Sequence, residues 1–174
     1  MSCTTPKAGD HRYWAIEANN RAWELVESAS LPPELKRDLI AIAWSAYWHW
    51  EEHLQSLAAP QRAAAPNRLR ALHLLCCAVA RHDLPLRTGA TTLRSGATAV
   101  PSLGELAESA AAEQARLMTV APAALTRLDL AMTSLCAVLS GDEGADGFKD
   151  QLAGLDGDER TLVQTLLDRC GARR

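Results

Sequence analysis

Apolar residues recur every three or four positions along most of the chain, and this spacing places side chains on one face of an α-helix. No segment alternates apolar and polar residues with period two, so no strand is expected. Prolines, glycines and capping residues interrupt the pattern. They predict helices over about 11–28, 33–57, 67–81, 85 onward, 103–119, 122–140 and 157–171, with a short turn of helix over about 148–152. We therefore predict an all-α fold of about seven helices, built as antiparallel helix hairpins in a helical bundle or a tetratricopeptide-like arrangement.

Particular residues mark the ends of these helices. Asn67 is a suitable N-cap for the third helix, and Ser102 with Glu105 forms a capping box for the fifth. Pro122 suits the first turn of the sixth helix.

The chain has 174 residues, of which 48% are hydrophobic and 22% are charged, and these values are typical of one globular domain. Residues 1–10 are polar and are expected to form a disordered N-terminal tail, whereas residues 11–174 are expected to form a single helical domain. Arginine outnumbers lysine fifteen to three, a bias that indicates a GC-rich bacterial source.

Charge and hydropathy argue against several classes of partner. The net charge is −3 and no cluster of lysine and arginine occurs, so no nucleic-acid partner is expected. No apolar run approaches the roughly 18 residues that span a bilayer, and the polar start of the chain lacks the apolar segment of a signal peptide. We therefore expect a cytoplasmic protein with no membrane partner.

The five cysteines include the adjacent pair Cys76 and Cys77 but no C-x-x-C spacing. An odd number without that spacing indicates neither a disulfide framework nor a thiolate zinc site. We interpret the cysteines as small core residues.

The most distinctive segment, residues 44–53, puts three of the five tryptophans and two of the five histidines on the second helix. At 100° per residue, His53 lies on the main apolar face with Trp50, and His49 lies at its edge. A histidine there is a core residue, a metal ligand or, because its pKa is near 6.5, a general acid/base. We select His49 as the candidate catalytic residue, and Trp50 and His53 as candidate substrate-binding residues.

A metal role for these histidines is not favoured. His49 and His53 match the H-x-x-E-H pattern of some zinc proteases, but those proteins are much larger and a third ligand would have to come from a distant helix. The stretch from Asp142 resembles the start of a calcium-binding loop, but Gly144 and Ala153 stand where ligands are required. We expect no metal and no cofactor.

The first helix carries a polar residue within its apolar face. Asn19 lies between Val26 and Trp23 on that face, and a buried amide without a partner costs on the order of 1–3 kcal/mol. Asn19 must therefore bond to backbone, another side chain, water or a ligand. We select Asn19 and Trp23 as candidate substrate-binding residues, and a structural asparagine that joins two helices is the alternative.

Trp44 and Trp48 recur four residues apart on the other side of the second helix, with Tyr47 beside them. Each tryptophan carries about 200 Å² of surface and is not expected to remain in water. The pair is covered by other helices of the domain, forms an aromatic ligand pocket, or binds a second protein. We select Trp44 and Trp48 as candidate interface residues.

The third predicted helix and the sequence after it fit part of the tetratricopeptide pattern. The small and apolar positions are filled by Cys77, Gly89, Leu93, Gly96 and Pro101, whereas His73 and Ala80 stand where aromatic residues are required. One imperfect unit is not a repeat array, so this pattern favours a helix hairpin rather than a peptide-binding stack.

The segments Asn19-Asn20-Arg21-Ala22-Trp23 and Trp48-His49-Trp50 resemble a family of short bacterial all-helical proteins that are functionally uncharacterised. The pattern of that family is Asn-Asn-x-x-Trp in the first helix and Ser-x-Tyr-His-Trp in the second, followed by a tetratricopeptide-like hairpin. Here Ala46 and Trp48 replace the serine and the tyrosine. The resemblance covers about the first 100 residues and makes Asn19 and His49 a pair of residues to test.

Our first functional hypothesis is a small-metabolite site in a bacterial biosynthetic pathway. The protein would be a binding protein, a cofactor-free acid/base enzyme such as a lyase or cyclase, or a subunit of one. In this hypothesis His49 moves a proton and Asn19 orients the substrate, in a cavity shared with Trp23, Trp50 and His53.

The alternative hypothesis is a tetratricopeptide-like interaction module without chemistry. In it Trp44 and Trp48 bind a partner protein or a second copy of the chain, so that the protein forms a homo- or hetero-oligomer.

Overall fold

Prolines and capping side chains set most of the helix boundaries. The structure, a computed structural model, describes residues 8–82, 101–141 and 147–171, and this part of the chain contains eight α-helices, one 3-10 turn and no strand. The helices are α1 (Ala8–Glu27), α2 (Pro33–Ser56), α3 (Ala59–Ala64), α4 (Asn67–Arg81), α5 (Leu103–Val120), α6 (Arg127–Ser140), α7 (Phe148–Ala153) and α8 (Gly157–Gly171). The predicted all-α fold is confirmed.

Two of the predicted helix starts are made by reciprocal side-chain bonds. The Ser102 hydroxyl accepts a hydrogen bond from the Glu105 backbone N–H, and the Glu105 carboxylate accepts one from the Ser102 backbone N–H at 2.7 Å. Asp156 accepts a hydrogen bond from the backbone N–H of Glu159 at 2.9 Å. The predicted capping box of α5 is therefore confirmed, and Asp156 caps the start of α8.

Other boundaries differ from the predictions. α1 begins at Ala8 rather than near His11, and the short helix α3 was not predicted. Pro122 begins a single 3-10 turn, and α6 begins only at Arg127, because Thr126 forms a capping box with Asp129. Asn67 is the first residue of α4 and does not cap it, so its amide remains free for other contacts.

Several predictions fall on residues outside the described part of the chain. These are most of the N-terminal tail (residues 1–7), the helix expected from Pro85 onward with the rest of the tetratricopeptide-like pattern (residues 83–100), and the loop at residues 142–146.

α4 is the central helix of the described structure. It packs against α1, α2, α5, α6 and α8. Leu69 and every residue from Ala71 to Val79 are buried, whereas Arg70 is exposed. A helix that is apolar all round is expected in the middle of a core, and α4 takes that position here.

α2 carries apolar residues on two sides, but other helices fully cover only one of them. It packs mainly against α1 and α4, and its buried residues are Leu39, Ile40, Ala43, Ala46 and Leu54. Its opposite side carries Trp48, which remains 47% exposed. Within the described residues, none of the helices has the length and apolar character needed to cross a membrane.

The position of α4 makes its leucines sensitive to truncation. Leu75 is fully buried, so Leu75→Ala is expected to lower the free energy of unfolding by about 2–5 kcal/mol. Met118→Ala on α5 is the control, because Met118 is 50% exposed and its truncation is expected to cost about 0.5 kcal/mol or less. Urea denaturation followed by circular dichroism measures both, and equal effects would contradict the central position of α4.

Candidate functional site

A cleft of about 550 Å³ opens beside the central helix, and α1, α2, α4, α6 and α8 all contribute to its lining. Leu128, Met132 and Leu162 supply apolar surface. The remaining lining residues are aromatic, amide-bearing, hydroxyl-bearing or charged, and they group into a wall, a floor and acidic side chains.

The wall is aromatic and comes from the first two helices. Asn19, Trp23 and Glu27 follow one another at intervals of four residues, so they lie on one face of α1 and all three line the cleft. Trp50 lines it from α2. The structure therefore brings together three of the residues selected from the sequence, namely Asn19, Trp23 and Trp50.

The floor is held by an ion pair between α4 and α6. The guanidinium of Arg70 donates two hydrogen bonds to the Asp129 carboxylate, at 2.9 and 3.0 Å. Thr126 donates two more to Oδ2 of Asp129, from its backbone N–H at 2.9 Å and from its hydroxyl at 2.8 Å. Burial raises the pKa of Asp129, but the bonds from Arg70 and Thr126 outweigh it and hold that pKa below its usual value.

His73 lies behind this pair and is almost completely buried. The Thr133 hydroxyl donates to the backbone carbonyl of Asp129 at 3.1 Å, so the Nε2–H of His73 is left to donate to the Thr133 oxygen at 2.9 Å. Burial lowers the pKa of His73 to about 4, despite the opposing attraction of Asp129. At neutral pH His73 is therefore a neutral imidazole.

The lining is rich in carboxylates. Glu27 and Glu159 add two carboxylates to that of Asp129, against the single guanidinium of Arg70. Two amides, from Asn19 and Asn67, complete the polar lining. The cleft therefore offers charged groups of both signs beside an aromatic surface.

His49 does not share this cleft with Asn19. It lines a separate groove of about 360 Å³ between α1 and α2, together with Trp14 and Ala18. Residues that follow each other on a helix point 100° apart, so Trp50 faces the cleft while His49 faces the groove. The expectation of a cavity common to His49 and Asn19 is corrected by this arrangement.

His49 contacts the beginning of α1. Its Nδ1 lies 3.0 Å from Nδ1 of His11, so one of these two atoms carries the hydrogen. Burial and the nearby His11 lower the pKa of His49, against an opposing effect of Glu52. The sequence does not show this contact, because it joins residues 38 positions apart.

His53 is half-buried and lies beside Trp50, with 5.9 Å between the ring centroids. Its Nδ1 is buried and has no hydrogen-bond partner among the described residues. His53 is not part of the cleft lining described above. Burial, followed by the charges of Arg12 and His11, lowers the pKa of His53.

The candidate interface residues differ in exposure. Trp44 is half-buried and stacks on Tyr47, with 5.6 Å between the ring centroids. Trp48 is 47% exposed and meets the ring of His11 edge to face at 5.3 Å. Other helices of the chain therefore cover Trp44 in part and leave about half of Trp48 in solvent.

The residues that form the floor of the cleft were not among those predicted from the sequence. Arg70 and Asp129 are 59 residues apart, and no local pattern links them. Two local signals were available, namely the Thr126-x-x-Asp129 capping box and His73 within the apolar run of α4. Among the described residues, no group of three or more histidine, cysteine, aspartate or glutamate side chains is arranged to hold a metal ion.

Comparison of the chain with protein-family models, with curated proteins and with solved structures finds no match.

The buried His73 makes stability depend on pH. Because its pKa of about 4 in the folded protein is below the usual 6.5, the unfolded chain binds the proton first as the pH falls. The free energy of unfolding is therefore expected to drop by about 3 kcal/mol between pH 6.5 and pH 4 on account of this residue. Urea denaturation at a series of pH values measures the drop.

Two variants isolate this contribution. His73→Gln cannot titrate, so its stability curve should be flatter between pH 6.5 and 4, whatever its absolute stability. His82→Gln is the control. Burial also lowers the pKa of His82, but that side chain is only half-buried, so its replacement should flatten the curve less than His73→Gln does. Asp129 acts outside this range, since its lowered pKa adds stability that is lost only at more acidic pH. Equal curves for wild type and His73→Gln would contradict the assignment.

Proposed function

We propose that the cleft binds a small zwitterionic organic molecule, with an anionic group at one end, an ammonium group at the other and an apolar part between them. The observation that carries the proposal is the convergence of Trp23, Trp50, Arg70 and Glu27 in one cleft. Its volume of about 550 Å³ also lies in the range of small-molecule sites, which is about 300–1,000 Å³.

The N-terminal end of α4 favours the anionic group. Arg70 uses Nε and Nη2 for Asp129, which leaves Nη1 for a ligand. Asn67 adds an amide donor, and no side chain caps the first turn of α4. The positive end of the helix dipole therefore adds to the charge of Arg70.

Glu27 favours the ammonium group at the other end of the cleft. The backbone carbonyl of Ser28 accepts a hydrogen bond from Arg81 at 2.6 Å, and this contact holds the end of α1 near the C-terminal end of α4. Glu27 therefore lies away from Asn67 along the axis of α4. The carboxylate and the negative end of the α1 dipole both stabilise a cation there.

The tryptophans favour an apolar ligand body. Trp23 and Trp50 present aromatic surface, and an aromatic face also attracts a neighbouring ammonium group. An acid/base reaction has less support, because His73 is a weak base with a pKa of about 4 and His49 lies outside the cleft. We therefore infer binding as the function of the cleft.

Three matched probes test the charge pattern. L-phenylalanine carries both charges, 2-phenylethylamine lacks the carboxylate, and 3-phenylpropionate lacks the amine. We expect phenylalanine to bind at least about tenfold more tightly than the other two, since each lost charge-assisted hydrogen bond costs about 1.5 kcal/mol or more. Isothermal titration calorimetry measures the three dissociation constants.

Paired variants assign the two ends. Glu27→Gln should lower the affinity for phenylalanine and 2-phenylethylamine about three- to fivefold and leave the affinity for 3-phenylpropionate unchanged. Glu17→Gln, on another face of α1, is the control and should leave all three affinities unchanged. Asn67→Ala should lower only the affinities for phenylalanine and 3-phenylpropionate, the two probes that carry a carboxylate. Asn20→Ala, at an exposed position, is its control. Equal affinity for the three probes, or equal effects of Glu27→Gln and Glu17→Gln, would contradict the proposal.

A second candidate function is self-association through an aromatic surface. Tyr13, Trp14 and Trp48 are 55%, 51% and 47% exposed, and exposed aromatic residues are enriched at protein interfaces. In this function two copies of the chain associate, and each copy buries the exposed aromatic side chains of the other. The tetratricopeptide-like module of our alternative hypothesis is of this class.

Light scattering tests the second candidate. Self-association predicts a wild-type mass that rises with concentration, and Trp48→Lys should reduce it to the monomer mass without a large change in melting temperature, because about half of Trp48 is exposed. Met118→Lys, on exposed α5 surface, should leave the mass unchanged. A wild-type protein that stays monomeric at all concentrations would contradict self-association.

The resemblance to bacterial helical proteins, the biosynthetic context and the cytoplasmic location remain predictions of the sequence. The Asn-Asn-x-x-Trp motif supports the proposed cleft to the extent that Asn19 and Trp23 both line it. Its proposed pairing with His49 has no such support.

A further inference from the structure

Four cysteines meet where α4, α6 and α8 pack together. Cys76 and Cys77 from α4 and Cys136 from α6 are fully buried, and Cys170 near the end of α8 is half-buried. All four are free thiols. The described part of the chain therefore has four thiols at one place, although no C-x-x-C spacing marks it.

The four thiols form two pairs. The Cys170 thiol donates to the backbone carbonyl of Cys77 at 3.7 Å, so these two cysteines lie against each other where α8 packs on α4. Cys136 and Cys76 are neighbours in the core, and both are fully buried. The contact with the Cys77 carbonyl therefore places the sulfur of Cys170 directly beside Cys77.

Only one of these pairs is accessible from outside. Cys170 lines a cavity of about 230 Å³, together with Ala80, Leu103 and Leu167. The Cys76 and Cys136 side chains are fully buried. A small oxidant can therefore reach the sulfur of Cys170 without unfolding of the core, whereas the other pair is enclosed.

The surroundings of Cys170 also favour its thiolate, which is the reactive form. The hydrogen bond from Cys77 lowers the pKa of Cys170, and the charges of Arg81 and Arg169 act in the same direction against burial. The opposite holds for the enclosed pair, because the hydrogen bond with Cys76 and burial raise the pKa of Cys136.

We propose that Cys170 and Cys77 form a peroxide-sensitive dithiol, with Cys170 as the sulfur that reacts first and Cys77 as the one that resolves it. The inference rests on the 3.7 Å contact between the Cys170 sulfur and the Cys77 carbonyl and on the cavity beside Cys170. It is independent of the ligand proposed for the cleft.

The chemistry proceeds in two steps with hydrogen peroxide as the oxidant. The Cys170 thiolate attacks one peroxide oxygen, an S–O bond forms as the O–O bond breaks, and the released hydroxide takes up a proton to give water. The sulfur of Cys77 then attacks the sulfenic sulfur of Cys170, and the sulfenic hydroxyl leaves as water with the proton of Cys77. The two thiols lose two electrons in total, and one peroxide is reduced to two waters.

Peptide mapping tests the proposal. All proteins carry Cys3→Ala, so that only the four clustered cysteines remain. The folded chain is treated with hydrogen peroxide, unfolded, alkylated and cut with trypsin, which separates Cys76 and Cys77 (peptide 71–81) from Cys136 (peptide 128–149) and from Cys170 (peptide 170–173). We expect a disulfide between peptides 71–81 and 170–173, formed at least about tenfold faster than any link to peptide 128–149.

Variants identify the sulfurs and control for folding. Cys76→Ala should retain the disulfide, and Cys77→Ala should abolish it and leave a sulfenic acid on Cys170 that dimedone labels. Cys136→Ala removes an equally buried thiol and should retain the disulfide, so it controls for loosening of the core. Circular dichroism verifies that each variant is folded.

Several outcomes would overturn the proposal. One is a Cys170 that is still alkylated after peroxide treatment, and another is a disulfide that persists in Cys77→Ala. The others are a link to peptide 128–149 that forms equally fast and a disulfide that forms only after the protein is unfolded in urea.

Discussion

The carboxylate of Asp129 accepts four hydrogen bonds, two from the Arg70 guanidinium and two from Thr126. The first two join α4 to α6, and the other two fix the residue at which α6 begins. Burial alone would favour a protonated carboxyl, but these donors keep it ionised. Through its backbone carbonyl, Asp129 also orients Thr133 and thereby His73. The floor of the cleft, the start of α6 and the polarity of the site therefore depend on one side chain.

The local features of the fold were predictable because they depend on neighbouring residues. Ser102 and Glu105 lie three residues apart, and their capping box needs no information from the rest of the chain. The same rule could have located the start of α6 at Thr126, but a proline in the first turn also suits an α-helix, and Pro122 was assigned that position. The error arose because two local signals competed within five residues of sequence.

The sequence predicted only those parts of the candidate site that depend on which face of one helix a residue occupies. Helical periodicity places Asn19 and Trp23 on one face of α1, and both line the cleft. Periodicity gives the direction of His49 around α2 but not the side chain that it meets, and the packing of α1 decides that it meets His11. The pairing of Arg70 with Asp129 depends on the packing of α4 against α6, which a single sequence does not reveal.

Arg70 also constrains the rotational register of α4. It is the one exposed residue between Leu69 and Val79, and buried side chains surround the helix on every other side. A shift of one residue along the chain would rotate the helix by 100° and bury the guanidinium among apolar groups, at a cost of several kcal/mol. A nearly uniform apolar helix could otherwise pack in several rotations of similar energy. Together with Arg68, which pairs with Glu51, and Arg81, which bonds the Ser28 carbonyl, Arg70 therefore favours one orientation for the helix that the other helices surround.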